Sequence, residues 1–187
     1  MITQRLIHAC WIVFLAYWLI SAWSTKKTVE RQSAGAKLTY NLPLVLGALL
    51  LFWPAPLFSW NVLVVPHTLV VQVLAVGLCV LGLLGALWAR RTLAENWSSE
   101  VVFKEQHELI ERGPYRFVRH PIYTSLLLMA LGSALATGRP GSFVGFLLFL
   151  VGFWLKLKQE EALLLRHFPT QYAAYMSHVK ALLPFVF

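Results

Sequence analysis

The feature that most constrains this chain is a set of long apolar runs without a single Lys, Arg, Asp or Glu. Three of them, residues 6–23, 42–60 and 68–89, lie in the first half of the sequence. At 1.5 Å per helical residue, runs of this length cross most of a hydrocarbon core of about 30 Å. Each run is therefore predicted to be a membrane-spanning helix.

Two shorter apolar runs, residues 122–137 and 142–157, flank a turn at residues 138–141. Each is short for a span, which predicts a tight helical hairpin that thins the bilayer or is shielded by other helices. The composition agrees, because 58% of the residues are hydrophobic and 13% charged, against about 45–50% and 25% in soluble domains. The predicted fold class is an all-α integral membrane protein with five transmembrane helices.

Proline and glycine residues add detail to these spans. Pro54 and Pro56 interrupt the second run and predict a bend near Trp53. The third run carries three glycines whose spacing favours close helix packing in lipid over a phosphate-binding loop: Gly77, Gly82 and Gly85.

Polar segments connect the spans and form the tail. Residues 24–41 are basic and predicted to be a loop, whereas residues 92–119 hold five of the eight acidic residues and are predicted to cover the membrane face. Pro169 is expected to break the last long helix. A C-terminal amphipathic helix is predicted at residues 170–183, with three side chains on one face: Tyr172, Tyr175 and Val179.

The chain is interpreted as a single membrane domain over residues 1–187. Residues 1–91 hold three N-terminal spans, and residues 92–187 form the half that carries the chemistry. The first apolar run lacks a basic leader and a small-residue cleavage site, so it is expected to be a retained span. Cys10 and Cys79 lie inside apolar runs without ligand partners, and neither a disulfide framework nor a metal site is predicted.

The basic residues indicate the orientation. If residues 24–41 are cytoplasmic, all of the 16 Lys and Arg residues except Arg5 and Arg139 fall inside, together with all eight acidic residues. The N-terminus is then outside and the C-terminus inside. The net charge of +8 is a membrane-topology signal here, not one for nucleic acid. A site on this face is open to cytosolic metabolites and, sideways, to lipid-borne substrates.

Residues 113–123 are the densest cluster of chemistry-capable side chains. Pro121 suits the first position of a helix and His120 its cap. The helix start attracts carboxylates or phosphates, and Arg116 and Arg119 add bidentate cationic donors. Composition alone also allows these groups, with Tyr115 and Tyr123, merely to anchor the hairpin in the headgroups.

Several motifs in the C-terminal half resemble the isoprenylcysteine carboxyl methyltransferase family. The resemblance covers roughly residues 88–187, and related phospholipid N-methyltransferases carry a similar Arg-His-Pro-x-Tyr element. The sequence departs from the family pattern at two positions. Pro169 follows Phe168 where the family often has Gly, and Glu95 precedes Asn96 where the family often has Gly. The matching elements are Asn96-Trp97-Ser98, His107-Glu108-Leu109-Ile110, Gly113-Pro114-Tyr115, Arg119-His120-Pro121-Ile122-Tyr123, Glu160-Glu161, Tyr172-x-x-Tyr175 and Leu183-Pro184-Phe185.

The resemblance implies an integral membrane enzyme that uses S-adenosylmethionine. The resemblance implies that the family's cofactor-binding positions correspond to these residues of this sequence: Tyr115, His120, Pro121, Tyr123, Glu160 and Glu161. The candidate catalytic residues are Arg119, Glu161 and Arg116. The cofactor's carboxylate suits the helix start, and its cationic groups suit the glutamates and aromatic faces.

The expected reaction is O-methylation of a lipophilic, isoprenylcysteine-like carboxylate. This substrate would enter the site from the inner leaflet, at the cytoplasmic face of the membrane. A carboxylate is already ionised, so its methylation needs alignment and exclusion of water but no base. N-methylation of a lipid amine is the alternative, and there Glu160, Glu161 or His120 would accept the proton. A non-enzymatic transport or assembly subunit is a third possibility.

Overall fold

The computed structural model describes residues 2–21, 28–31, 33–52, 62–94, 102–104 and 109–184. Within these ranges, six α-helices are α1 (Ile2–Ser21), α2 (Ala34–Phe52), α3 (Leu69–Leu93), α4 (Pro121–Thr137), α5 (Pro140–His167) and α6 (Pro169–His178). Two short antiparallel strands, β1 (Thr28–Arg31) and β2 (Val102–Lys104), pair with each other, and Gly113–Arg116 forms one turn of 3-10 helix. The predicted bend near Trp53 and the motifs at residues 96–98 and 107–108 lie outside the described residues, as does Phe185.

Four helices are long and apolar enough to cross a membrane by length and composition: α1, α2, α3 and α5, with 19 to 28 residues. Helix α4 has 17 residues, or about 25 Å at 1.5 Å per residue. The described part of the chain is therefore a multi-pass helical membrane protein. This agrees with the predicted class, and α4 is the short member of the hairpin.

The predicted loop at residues 24–41 is wrong in part, because β1 and the start of α2 fall within it. Ser33 explains the early start of α2. Its hydroxyl accepts a hydrogen bond from the Ala36 N–H at 3.2 Å, and its carbonyl accepts one from the Lys37 N–H at 3.2 Å. A serine cap satisfies donors that a helix start otherwise leaves unpaired, so the helix begins in polar sequence.

Glycines let the helices pack closely, as predicted for two of the three in α3. A Cβ at Gly82 would lie 2.5 Å from the Ser125 carbonyl oxygen, and one at Gly85 would lie 2.6 Å from the Ser125 hydroxyl. Gly77 instead faces open space. Helix α2 meets α5 in the same way, since Gly47 and Gly145 each lie against the other's backbone carbonyl. These contacts hold α4 and α5 firmly against α3 and α2.

The second helix of the hairpin is longer than its apolar run predicts. Helix α5 continues beyond residue 157 through the polar residues to His167, a total of about 42 Å at 1.5 Å per residue. Helix α5 ends just before Pro169, as predicted, and Pro169 is the first residue of α6. The acidic pair Glu160 and Glu161 thus projects from a rigid helix beyond the apolar run.

The C-terminal helix is shorter than predicted. Helix α6 ends at His178, and Val179 follows in extended conformation, although Tyr172, Tyr175 and Val179 are all buried together. The segment 179–182, called the strap below, then runs along the entrance to α4. The carbonyls of the strap accept hydrogen bonds from the backbone just before α4. The strap therefore does not continue helix α6.

Candidate active site

The start of α4 is fixed by the strap. The N–H groups of Arg119 and His120 donate to the carbonyls of Lys180 and Ala181 at 2.8 and 3.0 Å. The Thr124 hydroxyl, one turn further, donates to the Leu182 carbonyl at 2.7 Å. His120 is the cap residue of α4 and Pro121 its first residue, which confirms the predicted helix start. The backbone donors of Arg119 and His120 are thus already used by the protein.

A buried charge cluster lies beside this helix start. Glu161 of α5 is 4% exposed, and one of its carboxylate oxygens accepts hydrogen bonds from Arg119 Nε at 2.9 Å and Nη2 at 2.7 Å. Arg119 also donates through Nη1 to the Val179 carbonyl. The guanidinium therefore joins α4, α5 and the strap. Such a pair is stable in the interior only because every charged group has a partner.

His120 lies between the two glutamates. Its Nε2 is 3.3 Å from Oε1 of Glu161, and its Nδ1 is 3.7 Å from Oε2 of Glu160. The Tyr123 hydroxyl donates to the same Glu160 oxygen at 2.6 Å. Glu160 is about a third exposed, whereas the Glu161 side chain is almost fully buried. Both glutamates therefore face the histidine, one from the open side and one from the interior.

Aromatic rings line the same site. The Tyr123 ring stacks on His120 with centroids 5.3 Å apart and on Phe153 with centroids 5.0 Å apart. The Lys156 ammonium lies 5.5 Å from the centroids of both Tyr123 and Tyr40. Carboxylates next to ring faces form an environment that favours a cationic ligand.

Three further tyrosines close the side facing α6. Tyr115 is buried, which raises the pKa of its phenol, and its carbonyl accepts a hydrogen bond from the Tyr175 hydroxyl. Tyr172 is also buried, but its hydroxyl has no hydrogen-bond partner in the described residues. The sequence pattern placed Tyr172 on one face of the C-terminal amphipathic helix and in a family motif without assigning it to the site. Its spacing of three residues from Tyr175 was the available signal.

The structure brings together most of the predicted site residues and separates one. Arg116 is exposed, and its guanidinium lies 4.6 Å from the centroid of the adjacent Phe117 ring. The other seven predicted positions lie in the cluster or in the turn and helix start that form it: Tyr115, Arg119, His120, Pro121, Tyr123, Glu160 and Glu161.

The sequence matches one family of known proteins over the part of the chain that holds this site. The profile described as phospholipid methyltransferase matches residues 70–171, which is more than half of the chain and includes α4, α5 and all of α3 except its first residue. The chain belongs to the phospholipid methyltransferase family. The matched range holds every predicted site residue, whereas the strap lies beyond it.

Curated relatives of this family member carry the name that the sequence motifs suggested. A probable protein-S-isoprenylcysteine O-methyltransferase of Oryza sativa subsp. indica is 38% identical over 85 residues, or 45% of this chain and 44% of the relative. Protein-S-isoprenylcysteine O-methyltransferase A of Arabidopsis thaliana is 32% identical over 88 residues, or 46% and 45%. The resemblance to isoprenylcysteine methyltransferases is thereby confirmed.

A fungal relative extends the match towards the N-terminus. The protein-S-isoprenylcysteine O-methyltransferase of Saccharomyces cerevisiae is 30% identical over 139 residues, or 73% of this chain and 56% of the relative. This family member thus spans about half the length of the curated relatives it matches.

Proposed function

We propose that this chain is a membrane-embedded, S-adenosylmethionine-dependent methyltransferase that methylates the carboxylate of a lipophilic, isoprenylcysteine-like substrate. The observation that carries the proposal is the buried cluster of Arg119, His120 and Glu161, with Glu160 and Tyr123 beside it. It lies in the part of the chain that matches a methyltransferase family. Residues 92–187 would thus be the catalytic half, and residues 1–91 its supporting spans.

The residues present fit the proposed cofactor. Its ammonium and sulfonium groups suit two adjacent carboxylates and the stacked rings of His120 and Tyr123. When bound, S-adenosylmethionine supplies an electrophilic methyl group. The side chains proposed to hold it are those of Tyr115, His120, Pro121, Tyr123, Glu160 and Glu161.

The candidate catalytic residues take different roles in this proposal. Glu161 faces the ligand site from the interior, and Arg119 positions it through two hydrogen bonds to one oxygen. Because Arg119 is also bound to the strap, it acts through Glu161 and does not itself contact the substrate. Arg116 is exposed, and its proposed role is to attract an acidic substrate to the site.

The lipophilic part of the substrate has a matching surface. A cavity of about 570 Å³ lies between α4, α5 and the strap, and its lining includes Thr124, the residue that follows Tyr123. Its wall is almost entirely apolar and includes Leu127, Trp154 and Leu182. An alkyl or isoprenoid chain in this cavity would leave its polar end near Glu160 and His120.

A carboxylate acceptor is favoured by the chemistry and by the names of the relatives. The carboxylate needs no general base, so the already paired Glu161 does not have to accept a proton. The relatives in rice, Arabidopsis and yeast are named O-methyltransferases of isoprenylcysteine. A phospholipid amine is the second candidate, because the matching family is described as phospholipid methyltransferase and Glu160 is open enough to accept a proton.

The site is proposed to face the cytoplasm, with the N-terminus outside. The basic residues support this orientation, since Arg5 and Arg139 alone would lie on the opposite side. The cofactor would then reach Glu160 from the cytosol, and the substrate would enter from the inner leaflet.

Purified protein in nanodiscs tests the activity. With methyl-labelled S-adenosylmethionine, N-acetyl-farnesylcysteine should become labelled and release the label in mild alkali, as a methyl ester does. Alkali-stable label in phosphatidylethanolamine, with none in the farnesylcysteine, would establish the amine alternative instead. If neither S-adenosylmethionine nor S-adenosylhomocysteine binds in calorimetry, the chain is not the proposed enzyme and a non-enzymatic role takes its place.

A further inference from the structure

The Tyr172 hydroxyl is a polar group in a buried position. Tyr172 is 1% exposed, and its hydroxyl has no hydrogen-bond partner in the described parts of the chain. Tyr175, three residues later on the same face of α6, donates its hydroxyl to the Tyr115 carbonyl. Within the described residues, one of these two neighbouring phenols thus has a hydrogen-bond partner and the other has none. A buried hydroxyl without a partner is costly, and in native proteins it calls for an explanation.

The surroundings of Tyr172 make it a hydrogen-bond donor near two carboxylates. Burial raises the pKa of its phenol, and the nearby carboxylates of Glu161 and Glu160 raise this pKa further. The phenol therefore keeps its proton. One oxygen of Glu161 already accepts from Arg119, and one oxygen of Glu160 accepts from Tyr123.

Several other donors at this point are already engaged, and the Lys156 ammonium lies against the Tyr123 ring. The backbone N–H groups of Arg119 and His120 donate to the strap, and the Arg119 guanidinium donates to Glu161 and the Val179 carbonyl. The two ring nitrogens of His120 each lie within 3.7 Å of a glutamate oxygen. A ligand with an acceptor oxygen here would find the proton of Tyr172 available.

We infer that Tyr172 donates a hydrogen bond to the α-carboxylate of the cofactor's amino-acid end, beside the glutamates that receive its ammonium group. An amino-acid end carries an ammonium and a carboxylate on one carbon, so its site needs acceptors and a donor side by side. Glu160, Glu161 and Tyr172 provide that combination. This inference rests on the proposed function.

Decarboxylated S-adenosylmethionine is the probe that isolates this contact, because it keeps the ammonium and sulfonium groups but lacks the carboxylate. We expect Tyr172→Phe to bind S-adenosylmethionine about 10-fold or more weakly, since a hydrogen bond to a charged group is lost. Its affinity for the decarboxylated compound should stay that of the parent. The ligand-free variant should melt at the parent's temperature or above, because no hydrogen bond between the described residues is removed.

Tyr175→Phe is the matched control. It removes a hydrogen bond to the Tyr115 carbonyl, so it should lower the melting temperature without changing the preference for S-adenosylmethionine over its decarboxylated form. Equal weakening of both compounds in Tyr172→Phe, or no weakening of either, overturns the inference while the proposed function stands. If the parent protein binds neither compound, the proposed function itself has failed.

Discussion

The two ends of the helix bundle both carry polar side chains, but they use them differently. At the end away from the candidate site, His67 Nε2 lies 3.0 Å from the Thr137 carbonyl oxygen and Gln72 donates to the His67 carbonyl at 3.0 Å. Gln4 donates to the Ala136 carbonyl at 3.0 Å. At the site end, Glu161 and Glu160 pair with other side chains, and one of these carboxylates is buried.

The polar groups at the two ends thus have different roles. Those at one end form hydrogen bonds with backbone carbonyls, whereas those at the other end form a site that suits a ligand. Helix ends leave carbonyls unpaired, and His67 and Gln4 satisfy two such carbonyls at the end of α4, while Gln72 satisfies the carbonyl of His67 just before α3. The site end instead holds buried charge and a phenol that has no hydrogen-bond partner in the described part of the chain, which is an expensive arrangement for stability alone. A histidine near a helix terminus therefore does not by itself indicate a site; its partners do.

The largest effect is expected from Glu161→Gln. The variant keeps the side-chain volume but leaves the buried Arg119 without its counter-charge. We expect methyl transfer to fall about 100-fold or more, equivalent to roughly 2.7 kcal/mol. Initial rates in nanodiscs measure this effect.

Lys158→Gln is the matched control for Glu161→Gln. Lys158 lies on the same helix but is exposed, and its ammonium contacts the Trp154 ring. The control also changes the charge of α5 by one unit, so its rate should stay within about threefold of the parent. Similar activity in Glu161→Gln would place Glu161 in a purely structural pair.

A change at the opposite end tests whether stability and binding separate. Gly138 has φ +63°, and a Cβ there would clash with the Val65 carbonyl oxygen. Gly138→Ala should therefore lower stability by about 2 kcal/mol, measured by thermal melting in detergent. The folded fraction should bind S-adenosylhomocysteine as the parent does. A loss of affinity per folded molecule would mean that the two ends are coupled.

Two histidine variants compare the ends directly. His120→Ala loses the ring stacked on Tyr123 and the contacts with both glutamates, so cofactor affinity should fall about 10-fold, or roughly 1.4 kcal/mol. His67→Ala loses one exposed contact with the Thr137 carbonyl, and the expected result is a stability loss of about 1 kcal/mol or less. Its affinity should not change. Calorimetry with S-adenosylhomocysteine and melting curves of both proteins measure these effects; similar results for the two histidines would remove the distinction.

The smallest effect is expected from Arg116→Ala. Arg116 is exposed and lies over Phe117, so it should steer an acidic substrate only weakly. The KM for N-acetyl-farnesylcysteine should rise within about threefold, with kcat and cofactor affinity unchanged. Steady-state kinetics at two salt concentrations measure this, because added salt should shrink the effect. A large fall in kcat would instead place Arg116 among the reacting groups.

Much of the candidate site could be predicted because its residues lie in compact motifs. His120 and Pro121 marked a helix start, and Glu160 and Glu161 stood out as an acidic pair shortly after the last apolar run. The partners of these residues could not be predicted. The sequence left open which glutamate faces inward, and the structure turns both towards His120. It also directs Arg119 to Glu161 and the strap, 42 and 60 residues away.

Local chemistry determined the elements of this protein, and long-range packing determined their ends and contacts. Apolar runs without charge specify membrane helices on their own, since a bilayer leaves the backbone few alternatives. The extension of α5 to His167, the strap beside α4 and the burial of the Tyr172 phenol depend on segments far apart in the chain. Hydrogen bonds between such segments have no periodic signature in sequence, so only the tertiary structure decides them.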